Sequence, residues 1–275
     1  MNDRMTTHDA SENNDAVLYS LDQRGVATVT LNRPLVHNAF DDQLIAQLTN
    51  MFKRVGQDDK VRVMILAANG KSFCAGADLN WMKRMTDYSY EQNLADATAL
   101  ADMFLALNEL PKPTIARIQG AAFGGAVGLV ACCDMAIGSK LSKFCLSEVK
   151  LGLIPATISP YVIDAIGARL ARRYFTTAEV FSSRRARRIG LLSEAVTEEE
   201  LDTTIAELVE HLLKNAPHAV AAAKQLIFDI RDTPAGEELL NLTSSRIAAT
   251  RVSAEGQEGL NAFLQKRRPN WRGDE

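Results

Sequence analysis

The sequence predicts an α/β fold through about residue 200 and a purely helical region beyond it, and three observations carry that expectation. One order of elements, a strand running into a glycine-bearing loop and then a helix, occurs twice, at Val61 to Met85 and at Thr114 to Asp134. From Asp202 onward the β pattern disappears and only helical spacing remains. The 275 residues are 47% hydrophobic and 24% charged, a composition able to bury a full core.

The first 15 residues, MNDRMTTHDASENND, hold four acids and one arginine without an apolar core. They read as a disordered tail, not as a secretory or transit signal. Val17 to Ser20 and Gly25 to Leu31 alternate in polarity and are rich in β-branched residues, which predicts a hairpin turning at Asp22 to Arg24. Asn32, Arg33 and Pro34 break the strand. From Asp41 the period becomes helical, with Leu44, Ile45, Leu48, Met51, Phe52 and Val55 on one face. Val61 to Ala68 is nearly continuous in apolar character, as expected of a strand buried on both sides.

Tyr90 to Asn108 predicts a long helix whose apolar stripe is Leu94, Ala97, Leu100, Ala101, Phe104 and Leu107, ended by Pro111 and Pro113. Thr114 to Ile118 and Phe144 to Leu146 read as strands. Ile205, Leu208, Val209, Leu212 and Leu213 mark a helix, Pro217 opens another, and Glu237 to Arg251 and Glu255 to Arg268 read as two more. The expected organisation is therefore a core over residues 16–200 and a helical region over 201–275.

Lys plus Arg is 31 against 34 for Asp plus Glu, so the net charge of -3 gives no global attraction to nucleic acid or an anionic membrane. No apolar run approaches the roughly 20 residues of a membrane span. Cys74, Cys132, Cys133 and Cys145 lack C-x-x-C spacing, and His8, His37, His211 and His218 are scattered. Reduced, buried cysteines, no metal site and a cytoplasmic location are the corresponding expectations.

Gln119 to Asp134, QGAAFGGAVGLVACCD, is the stretch around which the chain is organised. A strand that enters glycines and then a helix leaves the first helical N–H groups unpaired at the positive end of the dipole. Neither a dinucleotide fingerprint nor a phosphate loop is spelled out, so the place suits a reaction's oxyanion. Gly124, Gly125 and Gly128 equally suit close helix packing. Asn69 to Asp78, NGKSFCAGAD, is a second such loop, able to project a peptide N–H near Ala77 or to serve as an ordinary turn at Gly70 and Gly76.

Glu148 lies among Val149, Leu151, Leu153 and Ile154. Such company raises a carboxyl's pKa toward the range useful for proton transfer, unless the residue sits on a surface turn paired with Lys150. Arg169, Arg172 and Arg173, and then Arg184, Arg185, Arg187 and Arg188, form two clusters that read as solvated helix faces more readily than as a nucleic-acid footprint.

Together GVATVTLNRP, KSFCAGADL, QGAAFGGAVGLVACCDMAI, FCLSEVKLGLIP and EGQEGLNAFLQKRRP resemble, in this order and spacing, the crotonase superfamily of enoyl-CoA hydratases and isomerases. ADLNWM, CCDMAIGS and FCLSEVKLGLIPATISP are most similar to its bacterial branch hydrating 3-methylglutaconyl-CoA in leucine breakdown. The resemblance implies a spiral of ββα turns, a C-terminal trimerisation region, and trimers or hexamers that bind an acyl-CoA thioester. No cofactor beyond that CoA, no nucleic acid and no membrane is implied. Its oxyanion donors map onto the N–H groups of Ala77 and Gly125, with Gly124 and Gly128 beside them, and its catalytic acid onto Glu148. Ala75, Asp78, Leu79 and Asn80 would lie along the CoA, and Phe263 and Lys266 would reach CoA from a C-terminal helix, often across a subunit boundary.

One departure matters. Typical hydratases of the family carry a first glutamate where this chain has Gly128, on the helix face that Gly125 shares at about 5 Å. The missing carboxylate is expected to leave space, as a branched substrate with its own distal carboxylate would need. Hydration with the single Glu148, isomerisation with one base, or a non-catalytic CoA- or RNA-binding scaffold are the readings that remain.

Overall fold

The computed structural model describes residues 15–272; the expected tail lies, apart from Asp15, outside the described residues. Strands β1 (Val17–Leu21) and β2 (Val26–Leu31) form the expected hairpin, with Val17 opposite Leu31. Its turn is closed by the Asp22 carboxylate, which accepts the N–H groups of Arg24 and Val26. Helix α1 (Asp42–Gln57) starts where the Asp41 carboxylate accepts the Leu44 N–H at 2.8 Å, and it buries Leu44, Ile45, Leu48, Phe52 and Val55. Strand β3 (Val63–Ala68) lies parallel to β2.

Helix α2 (Leu79–Met85) leads to α3 (Tyr90–Asn108), which opens with a capping box between Ser89 and Gln92. The stripe expected along α3 is only half right. Met103, Phe104 and Leu107 are buried, but Leu94 and Ala97 are exposed, because the first half of α3 extends past the layer that its second half packs on.

Strand β4 (Thr114–Ile118) joins β3 in parallel and is followed by β5 (Ala121–Phe123), α4 (Gly125–Cys132), β6 (Met135–Ser139) and β7 (Lys143–Cys145). A short 3-10 turn at Glu148–Leu151 leads to α5 (Ser159–Ile166) and α6 (Ala168–Thr177). Then come β8 (Phe181–Ser182), α7 (Ser183–Arg188), β9 (Glu194–Val196) and α8 (Glu198–Leu213). The chain ends in α9 (Pro217–Arg231), α10 (Glu237–Val252) and α11 (Ala254–Leu264). Helix α11 stops short of the expected Arg268, with Lys266 already in the left-handed region at φ 55°.

Two sheets organise these elements. One runs β1-β2-β3-β4-β6-β9 and is parallel except for β1; the other runs β5-β7-β8. Their side chains and α1, α3, α4 and α5 share one core that includes Cys74, Cys132 and Cys133; these three and Cys145 are buried free thiols. A second apolar layer forms where Leu201, Ile205 and Val209 of α8 cover Val26, Val63, Ile115 and Ile137 on the other face of the larger sheet. Leu208, Leu212 and Leu213 of α8 pack against the same layer. No described helix is long and apolar enough to cross a membrane.

Candidate active site

The two glycine loops are held together by strand-like hydrogen bonds. On one side Cys74 pairs with β5: its N–H donates to Ala121 O and its carbonyl accepts the Phe123 N–H, each at 3.0 Å. On the other side the Phe40 N–H donates to Gly76 O at 2.8 Å, and Phe40 O accepts the Asp78 N–H at 2.7 Å. In a parallel bridge of this kind the residues flanking Ala77 make both bonds to Phe40. The N–H of Ala77 is thereby turned away from Phe40.

Gly124 makes that junction possible. Its φ of 55° with ψ of -126° is a conformation that side chains rarely adopt, and its N–H donates to Cys145 O at 2.8 Å. The next N–H, of Gly125, stands at the first position of α4, where no preceding carbonyl can reach it. A Cβ placed on Gly124 would lie 3.5 Å from Glu148 Oε1 and 3.9 Å from Gly76 Cα. Both loops and the Glu148 carboxyl thus converge on one point, with Ala77 and Gly125 each one residue away from it.

Burial of Glu148 raises its pKa above the usual carboxylate value, a shift opposed in part by its own backbone N–H. Its Oε2 is buried with no hydrogen-bond partner among the described residues, so the Lys150 ammonium, which is exposed, does not hold it. The expected direction of the shift stands, but its source differs. Val149, Leu151, Leu153 and Ile154 are all themselves exposed, and the carboxyl is covered from the side of Gly124.

One site expectation, the open space at Gly128, needs correction. The space expected at Gly128 is filled: a Cβ there would come within 2.3 Å of Ile158 Cγ2 and 2.9 Å of Phe104 Cε1. Gly128 therefore serves the packing of α4 on α3 and α5 and offers no room for a ligand group. The Asp78 carboxylate accepts the N–H groups of Asn80 and Trp81 as the cap of α2. Phe263 and Lys266 are exposed on α11 and just beyond it, and α11 packs chiefly on α9 and α10, not against the glycine loops. Ala75, Leu79 and Asn80 do lie exposed along the first loop and the start of α2.

Asn32 to Pro34 break the strand, and Arg33 within that segment also holds the first loop in place. Arg33 bridges the caps of α1 and α2, at 2.7 Å from Asp41 Oδ2 and 3.6 Å from Asp78 Oδ2, and donates to Ala39 O. Buried Asn38, at φ 55°, donates to Asn69 O and Ser72 O and accepts the Arg33 N–H. An asparagine just after a proline turn was the available signal, since asparagine tolerates the left-handed region. Nothing in the local sequence marked Ile158 or Phe104 as the residues filling the place beside Gly128.

A family model for enoyl-CoA hydratase/isomerase matches residues 22–274. The chain is 34% identical to the enoyl-CoA hydratase AKT6-1 of Alternaria alternata, over 96% of this chain and 87% of that protein. It is 30% identical to the 2,3-dehydroadipyl-CoA hydratase of Escherichia coli strain K12, over 91% of this chain and 96% of that protein. The crystal structure of an enoyl-CoA hydratase from Shewanella pealeana superposes with a TM-score of 0.90 at 46% identity, covering 94% of this chain and 96% of that one.

Proposed function

We propose, for a chain that belongs to the enoyl-CoA hydratase/isomerase family and has the crotonase fold, that it hydrates the C2=C3 double bond of a branched, acidic enoyl-CoA of the 3-methylglutaconyl-CoA type, as in leucine degradation. The observation that carries the reading is the convergence of Glu148 with the Gly76 and Gly124 turns. The N–H groups of Ala77 and Gly125 hold the thioester oxygen as it gains charge on forming the enolate. Fixed backbone donors do this without reorganising during the reaction. Glu148 exchanges the proton at C2 while water adds its hydroxyl at C3, so one water is consumed and no other reactant is needed. Its raised pKa suits both halves of that transfer.

The acidic substrate draws support from the dehydroadipyl-CoA hydratase among the relatives, an enzyme whose named acyl group ends in a carboxylate. That carboxylate, or Glu148 itself, positions the attacking water. Isomerisation is the second reading, favoured by the apolar side chains that stand where a second acid would be. One base suffices to move a proton from C2 to C4. Incubation with 3-methylglutaconyl-CoA and with a simple 3-enoyl-CoA in ¹⁸O-water separates the two: label in the product marks hydration, and a shifted double bond without label marks isomerisation. Glu148→Gln is expected to lower turnover roughly 100-fold or more while thioester binding survives, and unchanged turnover would reject both.

Assembly belongs to the same proposal. Helices α9 and α10 bury no side chain completely, and they and α11 expose Ile227, Leu240, Val252, Phe263 and Leu264, with Phe263 81% exposed. Apolar surface of this extent suits cover by other copies in a trimer or a pair of trimers. In that arrangement Phe263 and Lys266 serve a neighbour's CoA, and light scattering of the purified chain gives the subunit number.

A further inference from the structure

One strongly charged concavity lies at the β9 edge of the larger sheet. Lys140, which follows β6, and Arg184, Arg187 and Arg188 of α7 line a cavity of about 630 Å³ together with Ser193 and Ala195. The three arginines stand at the spacing that places side chains on one helix face. Strand alternation turns Glu194, between Ser193 and Ala195, to the other face, and no carboxylate lines the cavity. Glu200 acts electrostatically on Lys140, but its own carboxylate is engaged by the Thr197 N–H at the start of α8.

Among the described residues none of these four cations forms an ion pair. Elsewhere on the surface Arg24, Arg84, Arg173, Arg246 and Arg267 each hold a carboxylate. Like charges three and four residues apart repel, and the dipole of a six-residue helix offsets only part of that repulsion. The lining also lacks any aromatic ring, so nothing there stacks on a nucleobase. What the cavity can recognise is clustered phosphate charge.

We propose that this cavity binds a small oligophosphate anion. The site is independent of the enoyl-CoA reading, since none of its residues belongs to the Glu148 constellation. Calorimetric titration of the full chain with inorganic tripolyphosphate is expected to show binding that weakens roughly 10-fold or more between about 50 and 200 mM salt. Replacing Arg184, Arg187 and Arg188 together by alanine should weaken it at least about tenfold, while turnover of an enoyl-CoA is unchanged. Should that triple variant misfold, the single exposed Arg187→Glu reversal decides, with a similar loss expected. A short oligouridine of matching phosphate number is the second arm. The proposal is overturned if tripolyphosphate gives no binding, if affinity ignores these substitutions, or if the RNA binds while tripolyphosphate fails to compete with it.

Discussion

Replacing Gly128 by alanine probes the packing that stands where a second carboxylate would sit. The new methyl would lie 2.3 Å from Ile158 Cγ2 and 2.9 Å from both Ile158 Cβ and Phe104 Cε1. Carbon atoms pack at about 3.5 Å, so Ile158 has to retreat by roughly 1 Å. Neither neighbour has a free direction: both are buried, and the Phe104 ring also meets that of Tyr161 at 6.2 Å between centroids. Overpacking of this kind costs about 1–3 kcal/mol, and the better helix propensity of alanine offsets about 1 kcal/mol of it. The expected net loss is up to about 2 kcal/mol. Ile158→Ala alone should cost about 2–5 kcal/mol, but in the double variant the new methyl occupies the vacated volume, giving a favourable coupling of at least about 1 kcal/mol. Urea transitions of the four proteins at one fixed concentration measure the cycle. Losses that add within about 0.5 kcal/mol would refute the contact, and with it the claim that apolar packing has replaced the acid.

Three further outcomes follow from the same geometry. The raised pKa of Glu148 means that the folded chain holds this proton more tightly than the unfolded chain, in which it titrates near 4.5. The stability this provides is full below about pH 4.5 and is lost as pH rises through the raised value. Glu148→Gln should therefore melt higher than the parent at neutral pH and lose that advantage in acid; a gap that does not change with pH would contradict the burial. Arg33→Lys cannot hold both caps with one planar fork, and is expected to lose about 1–3 kcal/mol and to slow turnover through the Ala77 loop, read from denaturation and initial rates. The paired Arg267 guanidinium holds Glu258 down to about 2, and Glu258 also accepts the Asn270 N–H. This contact is present above about pH 4.5 and released as pH falls toward 2, so Glu258→Gln should speed hydrogen exchange at Asn270 at neutral pH.

Much of the fold was legible because the period of its apolar residues is a local property. The α1 stripe, the β1–β2 hairpin and the run of strand, loop and helix through α4 follow from side-chain spacing alone. Short edge elements were less legible. Strand β5 is three residues of the glycine stretch, and it is a strand only because Cys74 and β7 lie on either side of it. The α3 stripe failed at Leu94 and Ala97 because helical periodicity says which residues share a face, not whether another layer is present to cover them.

By itself the sequence determined two glycine loops able to offer amides, one acid in apolar company, and a glycine at the place where the family resemblance implies another acid. Tertiary structure alone decided what those residues face. Phe40, distant in the chain, turns the Ala77 amide; Gly124 brings Glu148 beside the Gly76 turn; Ile158 and Phe104 close the place beside Gly128. Spacing along a chain records what each residue can donate, accept or bury, whereas a hydrogen-bond direction and a filled volume depend on atoms that meet only after the sheets and helices have packed.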